Sequence, residues 1–314
     1  MPPSVAALPL GLPQRTDRDD SAALIEYGAF LFQSPLLSRD RSVACTSCHD
    51  PALDFSGLAP LGIGINGQLG KRHPPPLVNL YAATHFMLDG RMASLEAQLR
   101  IPIEAPSEMA VDWPAVLARL ATLPQTSTAL SFTGEAAPRE DLVVKSLAAY
   151  VRSLVTGDSP FDRYYFGGAA TAISAQAKEG LLLFVRKGRC SGCHLITGTA
   201  APLADGSFHS IGIGFEAGAY RDVGRSAVTG QDSDRGAFKT PTLRNVAERR
   251  YFMHDGSMRS LKEVIDYYNH GGNREAPNLD GRIRPLFLTA REREAIIAFL
   301  RTLSAPVQSY RPGP

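Results

Sequence analysis

The stretch "ACTSCHD" (44–50) decides the reading, because it has a twin in "RCSGCHL" (189–195). Each contains Cys-x-x-Cys-His: Cys45, Cys48 and His49 in the first, Cys190, Cys193 and His194 in the second. The two pairs use all four cysteines of the chain. This spacing is the attachment signal of a c-type haem. Two thioether bonds hold the porphyrin edge on one tight turn, and the His that follows lies under the iron as proximal ligand. Two disulfides, a zinc site or redox pairs would draw on the same cysteines. A zinc site leaves the trailing His of each pair unexplained, and a redox pair has no need of that His twice. The expected cofactors are therefore two covalently bound c-type haems. Attachment of this kind takes place outside the cytoplasm, so the expected location is the periplasm.

The surroundings of the two motifs repeat. "SAALIEYGAFLF" (21–32) precedes the first and "SAQAKEGLLLFVRKG" (174–188) the second, and both space their apolar residues as helices do. Ser174 suits an N-cap and Gly188 a helix stop. Each half closes on a helix, "REDLVVKSLAAYVRSLV" (139–155) and "TAREREAIIAFLRTL" (289–303). Thr289 with Glu292 fits a capping box, and Ile296, Ile297, Leu300 and Leu303 mark the buried face. "TGDSPFDRYYFGG" (156–168) reads as a linker. The expected fold is mainly α: two cytochrome c-like haem domains with long loops, over 21–160 and 161–314, behind a poorly ordered extension at 1–20.

The 314 residues suit about two domains. With 44% hydrophobic and 20% charged residues the composition is that of an ordinary soluble protein. A net charge of +2 gives no reason to expect nucleic acid or an anionic membrane surface as partner. No apolar run is long enough for a membrane span. "MPPSVAALPLGLPQRTDRDD" (1–20) lacks the basic start and long apolar core of a signal peptide. Either a signal has been removed or the true start lies elsewhere.

Beyond the haem motifs, the chain resembles the bacterial dihaem cytochrome c peroxidase and MauG family from about residue 24 to 304. The resemblance rests on "YGAFLFQSPLLSRDRSVACTSCHDPALDFS" (27–56), "PPPLVNLYAATHFMLDGRMASLEAQLRIPIEAPSEM" (74–109), "SPFDRYYFGG" (159–168) and "GAFKTPTLRNVAERRYFMHDGSMRSLKEVIDYYNHGG" (236–272). It implies a peroxide-driven oxidation that uses both haems, with hydrogen peroxide meeting the first. His49 is then the proximal ligand of that haem. Glu108 is the acid–base residue above it and Gln98 its hydrogen-bonding partner, with Pro102 completing the match. A Glu beside a haem and away from water should have a raised pKa, which suits proton shuttling. Taken without the resemblance, Gln98 and Glu108 are ordinary surface polar residues. His73 does not align with the distal His that swings away in many family peroxidases, so an open site is expected, with His73 a loop or surface residue.

By the same resemblance His194 is the proximal ligand of the second haem. The sixth ligand lies fourteen residues beyond the His of "HDG", which counts from His254 to Tyr268. It is Met in the electron-transfer peroxidases and Tyr in the MauG-like branch, which "NHGG" (269–272) also fits. A thioether stabilises ferrous iron. A phenolate is a hard anion and should favour ferric and higher states. Met253 and Met258 read as packing. Tyr267 lies about 100° from Tyr268 around the helix, so both cannot face one haem.

Two departures from the family pattern matter. "HFMLDGR" (85–91) has Leu88 where most members carry a Trp between the haems, and Leu cannot be oxidised at these potentials. His73 and "RRYF" (249–252) replace the segments that often hold an inter-domain Ca²⁺. Two Arg and a His are poor company for a hard dication, so calcium is expected to be weak or absent.

Three functions compete. A MauG-like enzyme would use peroxide to form high-valent haem iron and oxidise a residue of a partner protein by long-range electron transfer. Trp113, Tyr164, Tyr165 and Tyr251 would be candidate stations. A cytochrome c peroxidase would reduce peroxide to water with electrons from a small redox protein. A non-catalytic dihaem carrier would need no distal acid–base group. Tyr268 favours the first of these.

Overall fold

The computed structural model describes residues 1–15 and 20–311. Residues 16–19, inside the stretch expected to be loose, and 312–314 lie outside the described residues.

The first unit opens on α1 (Ala22–Gln33), capped by the Ser21 hydroxyl. Helices α2 (Leu95–Glu104), α3 (Trp113–Leu120) and α4 (Pro124–Thr133) follow, and α5 (Glu140–Ser153) closes it. Residues 34–94 form loops and single 3-10 turns around the first Cys-x-x-Cys-His motif. A short α6 (Pro160–Tyr165) lies inside the expected linker. Ser159 and Asp162 form its capping box, and Pro160 takes the first turn, where its missing N–H costs nothing.

The second unit repeats the plan. Helix α7 (Ala175–Val185) starts on the Ser174 hydroxyl. It ends three residues before Gly188, whose N–H bonds the Leu183 carbonyl at 2.7 Å. A four-residue α8 (Ser226–Thr229), α9 (Leu261–His270) and the closing α10 (Ala290–Arg301) complete it. Thr289 and Glu292 make the reciprocal capping box, and Ile296, Ile297, Leu300 and Leu303 are buried.

Both units are built on one helix crossing, α1 on α5 and α7 on α10, and both crossings need a glycine. A Cβ on Gly28 would lie 1.8 Å from the Ser146 carbonyl oxygen, and one on Gly180 would lie 1.9 Å from that of Ala295. Each glycine is followed one turn later by a buried Phe, Phe32 or Phe184, which meets an aromatic on the closing helix, Tyr150 or Phe299. Each pair of helices anchors its own apolar core.

Strands are few and short. β1 (Ser4–Val5), β2 (Leu154–Val155) and β7 (Gln308–Tyr310) form one sheet, with β7 central, parallel to β1 and antiparallel to β2. β3 (Phe208–Ser210) pairs with β6 (Ala237–Lys239), and β4 (Phe215–Glu216) with β5 (Ala219–Tyr220). The opening residues are tied down. Besides β1, the Gly11 carbonyl accepts from Arg244 and the Pro13 carbonyl from the Tyr81 hydroxyl. Arg244 also donates to Asp162 and to the Ala201 carbonyl, and both members of this ion pair are almost wholly buried. That pair fastens α6 to the second unit.

Candidate active site: two haem-attachment centres

The two Cys-x-x-Cys-His segments fold into the same turn. The amide of His49 bonds the Cys45 carbonyl at 2.9 Å, and that of His194 bonds the Cys190 carbonyl at 2.9 Å. None of the four cysteines is tied up in a disulfide. The imidazoles are held alike. His49 Nδ1 meets the carbonyls of Phe55 and Pro75, each at 3.1 Å, and His194 Nδ1 meets that of Leu203 at 2.9 Å. A carbonyl can only accept, so the proton sits on Nδ1 and Nε2 keeps its lone pair for a metal. Burial disfavours the imidazolium, pushing His49 down to about 4 and lowering His194 as well. Both rings are therefore neutral, the form that binds iron.

The second centre opens on a cavity of about 240 Å³ whose wall includes Phe184, Cys190, Cys193, His194, Ile265 and Tyr268. Helix α9 delivers Tyr268, starting on the Ser260 hydroxyl and stopping at the left-handed Gly271. Its two adjacent tyrosines differ sharply. The Tyr267 hydroxyl donates to the Ile211 carbonyl at 2.6 Å and accepts from the Asn273 amide at 3.0 Å. The Tyr268 hydroxyl has no hydrogen-bond partner among the described residues, although burial raises its pKa and it lies in the field of both Cys190 and Cys193. Tyr268 is half-buried and lines the cavity, whereas the Tyr267 hydroxyl is already taken. Met253 lies on the same cavity wall, whereas Met258 does not and instead bridges Phe252 through the backbone. His254 stacks on Phe238 at 3.8 Å.

At the first centre, Glu108 sits beside Cys48. Its carbonyl is bonded by the Ile65 amide at 2.8 Å, which holds the 62–65 loop against it. Burial raises the Glu108 carboxyl, with Arg91 pulling the other way, and no donor among the described residues holds the carboxylate. Gln98 lies on α2, one turn before Pro102. Proline has no N–H to give the Gln98 carbonyl, so the helix ladder is open at that turn. The Gln98 side-chain oxygen accepts only a long 3.4 Å bond from the Met87 amide. Gln98 lines a cavity of about 180 Å³ at the junction of the units, together with Asn79, Leu80, Met87 and Leu88. Glu108 and Pro102 do not line it, and no bond joins Gln98 to Glu108. The two meet only through whatever lies between them.

Leu88 forms part of both cavity walls, as do Pro75 and Lys239. Trp113 is on neither wall; its indole donates to Glu104 at the start of α3. His73 is a loop residue but a buried one. Its ring contacts Ser56 and the carbonyls of Ala59 and Pro60, so a surface position for it is corrected. The domain junction, which local sequence does not reveal, covers it. Arg249 is also buried there. It pairs with Asp54 at 3.1 Å and donates to the carbonyls of Thr242 and Arg244.

Comparison with known proteins joins these features. Residues 22–170 match the family model for di-haem cytochrome c peroxidase, and residues 177–304 match that for cytochrome c. The chain is 38% identical over 283 residues to the methylamine utilization protein MauG of Methylorubrum extorquens, covering 90% of this chain and 78% of that one. The chain belongs to the di-haem cytochrome c peroxidase family. It is 30% identical to cytochrome-c peroxidase IdrP2 of Denitromonas iodatirespirans, over 90% of this chain and 82% of the relative. The structure of a MauG-like protein associated with microbial copper homeostasis superposes with a TM-score of 0.84 at 26% identity, covering 95% of this chain and 93% of that one. This di-haem peroxidase is thus an oxidoreductase with two covalently bound c-type haems, and its mainly helical, two-unit fold is that of the family.

The residues fit those haems. Paired thiols stand beside neutral, oriented imidazoles in both units, and the phenol of Tyr268 lacks a partner across the second cavity. Lys239 adds a further sign. Burial pushes it down to about 8, and its ammonium reaches the His85 carbonyl at 2.7 Å but no carboxylate among the described residues. A half-buried cation without a carboxylate partner among the described residues, on both cavity walls, suits the carboxylates of a porphyrin edge. Sequence reasoning passed over Lys239 and Asp54, and it weighed Arg249 only as a poor neighbour for calcium. "FKTP" (238–241) looks like an ordinary loop until the other unit closes over it.

Proposed function

We propose that this di-haem peroxidase uses hydrogen peroxide to oxidise a residue of a partner protein, in the MauG-like manner. The observation that carries the reading is Tyr268: a half-buried phenol on the wall of the His194 cavity, with no hydrogen-bond partner among the described residues, at the position that the family spacing selects. Bound haem supplies the redox capacity that side chains lack, taking oxidising equivalents from peroxide and releasing them one electron at a time.

The chain's own groups do the rest. The lone pair on His49 Nε2 and that on His194 Nε2 are the proximal ligands, fixed by the carbonyls behind each ring. Glu108, with its raised pKa, takes the proton from the near oxygen of peroxide and returns it to the departing one. The Gln98 amide N–H holds the peroxide in place. Tyr268, as phenolate, is stabilised against its burial only by a cation at its oxygen. The Arg249 guanidinium already fills a set of carbonyls and a carboxylate at the domain junction, which supports weak or absent calcium. The chemistry of haem attachment puts the mature enzyme in the periplasm.

Leu88 favours a second reading. With no oxidisable side chain at that position, charge sharing between the centres is slower. The enzyme could then act as a peroxidase fed by a small redox protein. Tyr268→Met separates the two. On the first reading it changes the spectrum of the second haem and abolishes covalent modification of the partner, detected by mass spectrometry. An unchanged spectrum removes Tyr268 as a ligand and the reading with it.

A further inference from the structure

The aromatic cores of the two repeated units end differently. In the first unit Phe55, Phe32 and Tyr150 meet at 5.3–6.5 Å and stop there, with Tyr150 only 2% exposed. In the second, the equivalent pair Phe184 and Phe299 is extended by α6. The His194 ring lies 6.5 Å from Phe184, Phe184 5.1 Å from Phe299, and Phe299 5.5 Å from Phe161. Phe161 then stacks on Tyr165 at 5.4 Å and 29°. The three phenylalanines are buried to within 1%. Tyr165 is 45% exposed, and it is the one exposed tyrosine among the ten in the chain. A continuous row of ring contacts thus runs from the proximal ligand of the second haem to a phenol in water.

We propose that Tyr165 is the residue through which oxidising equivalents leave the second centre. The inference rests on the long-range reading above and gives it an exit. Packing alone explains the three phenylalanines. It does not call for ending the row on an exposed, oxidisable ring, and the repeat shows that the same crossing can be sealed. Phenylalanine is not oxidised here; the rings form a closely packed medium for electron transfer, and Tyr165 is the first group along it that can hold the hole. The balance is simple. Tyr165 gives one electron inward to the oxidised centre and its phenolic proton to water. It is restored by an electron and a proton from an oxidisable aromatic side chain of the partner. Two such rounds match one hydrogen peroxide, which takes up two electrons and two protons and leaves as two waters. The α6 capping box and the Asp162–Arg244 pair hold Tyr165 in register with Phe161.

The test uses the holoprotein, one equivalent of hydrogen peroxide and the nitroso spin trap 2-methyl-2-nitrosopropane, with adducts mapped by mass spectrometry. We expect the adduct on Tyr165, its loss in Tyr165→Phe, and about a fivefold drop at Tyr165 in Phe299→Leu or Phe161→Leu, whose haem spectra report on folding. Two interrupting variants are used so that one may fail to fold without ending the test. Labelling at Tyr165 that ignores both interruptions reflects exposure alone and overturns the proposal, as does label that gathers on Trp113 or Tyr251. Partner oxidation that continues undiminished in Tyr165→Phe overturns the exit and leaves the long-range reading standing. A labelled Tyr165 that responds to the interruptions, with no partner product, supports the exit and counts against that reading.

Discussion

Arg244→Met should loosen α6 from the second haem unit. The wild-type guanidinium is 1% exposed and the Asp162 carboxylate 0%. Arg244 also serves the carbonyls of Ala201 and Gly11. Without it, among the described residues the Asp162 carboxylate keeps the Ser159 amide and hydroxyl, at 2.9 and 2.8 Å. A buried carboxylate then stands without its cation, which costs about 3–5 kcal/mol. At roughly 2–4 °C per kcal/mol for a protein of this size, the holoprotein's melting temperature should fall by about 6–20 °C in thermal unfolding followed by circular dichroism. Removing the stranded charge as well, in Arg244→Met with Asp162→Asn, should recover part of the loss. The coupling should be about 2 kcal/mol or more, as expected for partners in direct contact. A single variant within about 1 kcal/mol of wild type, against that expected range, would mean that this pair does not clamp α6 to the second unit.

Two further outcomes follow from particular contacts. Glu108→Gln should slow the reaction with peroxide by about 10²–10⁴-fold in stopped-flow measurements; an unchanged rate excludes it as the acid–base group. Because burial raises the Glu108 carboxyl, the base form is lost on acidification at a higher pH than for a free Glu. The acid limb of the wild-type rate profile should therefore lie above about 4.3, and a limb below that value contradicts the assignment. Gly28→Ala and Gly180→Ala each drive a methyl into a backbone oxygen. Each should cost about 1–3 kcal/mol or more, read as a lower urea midpoint, and a neutral result at either would show that the crossing can open.

What could be read in advance was local. Ser174, Thr289 with Glu292, and the apolar face of α10 obey rules that act within one turn, and the structure keeps them. The α6 helix was missed although Ser159, Pro160 and Asp162 spell its start, because the surrounding Gly, Pro and Asp residues dominate the impression of a linker. The need for glycine at Gly28 and Gly180 was illegible, since the obstructing carbonyls belong to helices more than a hundred residues away. His73, Lys239 and Arg249 share a cause. His73 and the Arg249 side chain are buried and Lys239 is half-covered where the units meet, and no property of their neighbours in sequence announces it. Tyr268 could be chosen over Tyr267 only by counting. The structure adds the physical distinction, one hydroxyl satisfied twice and the other not at all.

The small sheet also bears on how the molecule is made. Its central strand, Gln308–Tyr310, follows both helix crossings in sequence and is flanked by Ser4–Val5 and Leu154–Val155. The strands on either side can therefore be joined only once Gln308–Tyr310 has been synthesised, after both helix crossings. Each helix crossing, by contrast, lies within its own half and can form early. Units that fold separately and join last leave the inner walls of both cavities open in the meantime. Attachment of the porphyrins to Cys45, Cys48, Cys190 and Cys193 would fall in that interval, before Leu88 and Lys239 are closed between the units.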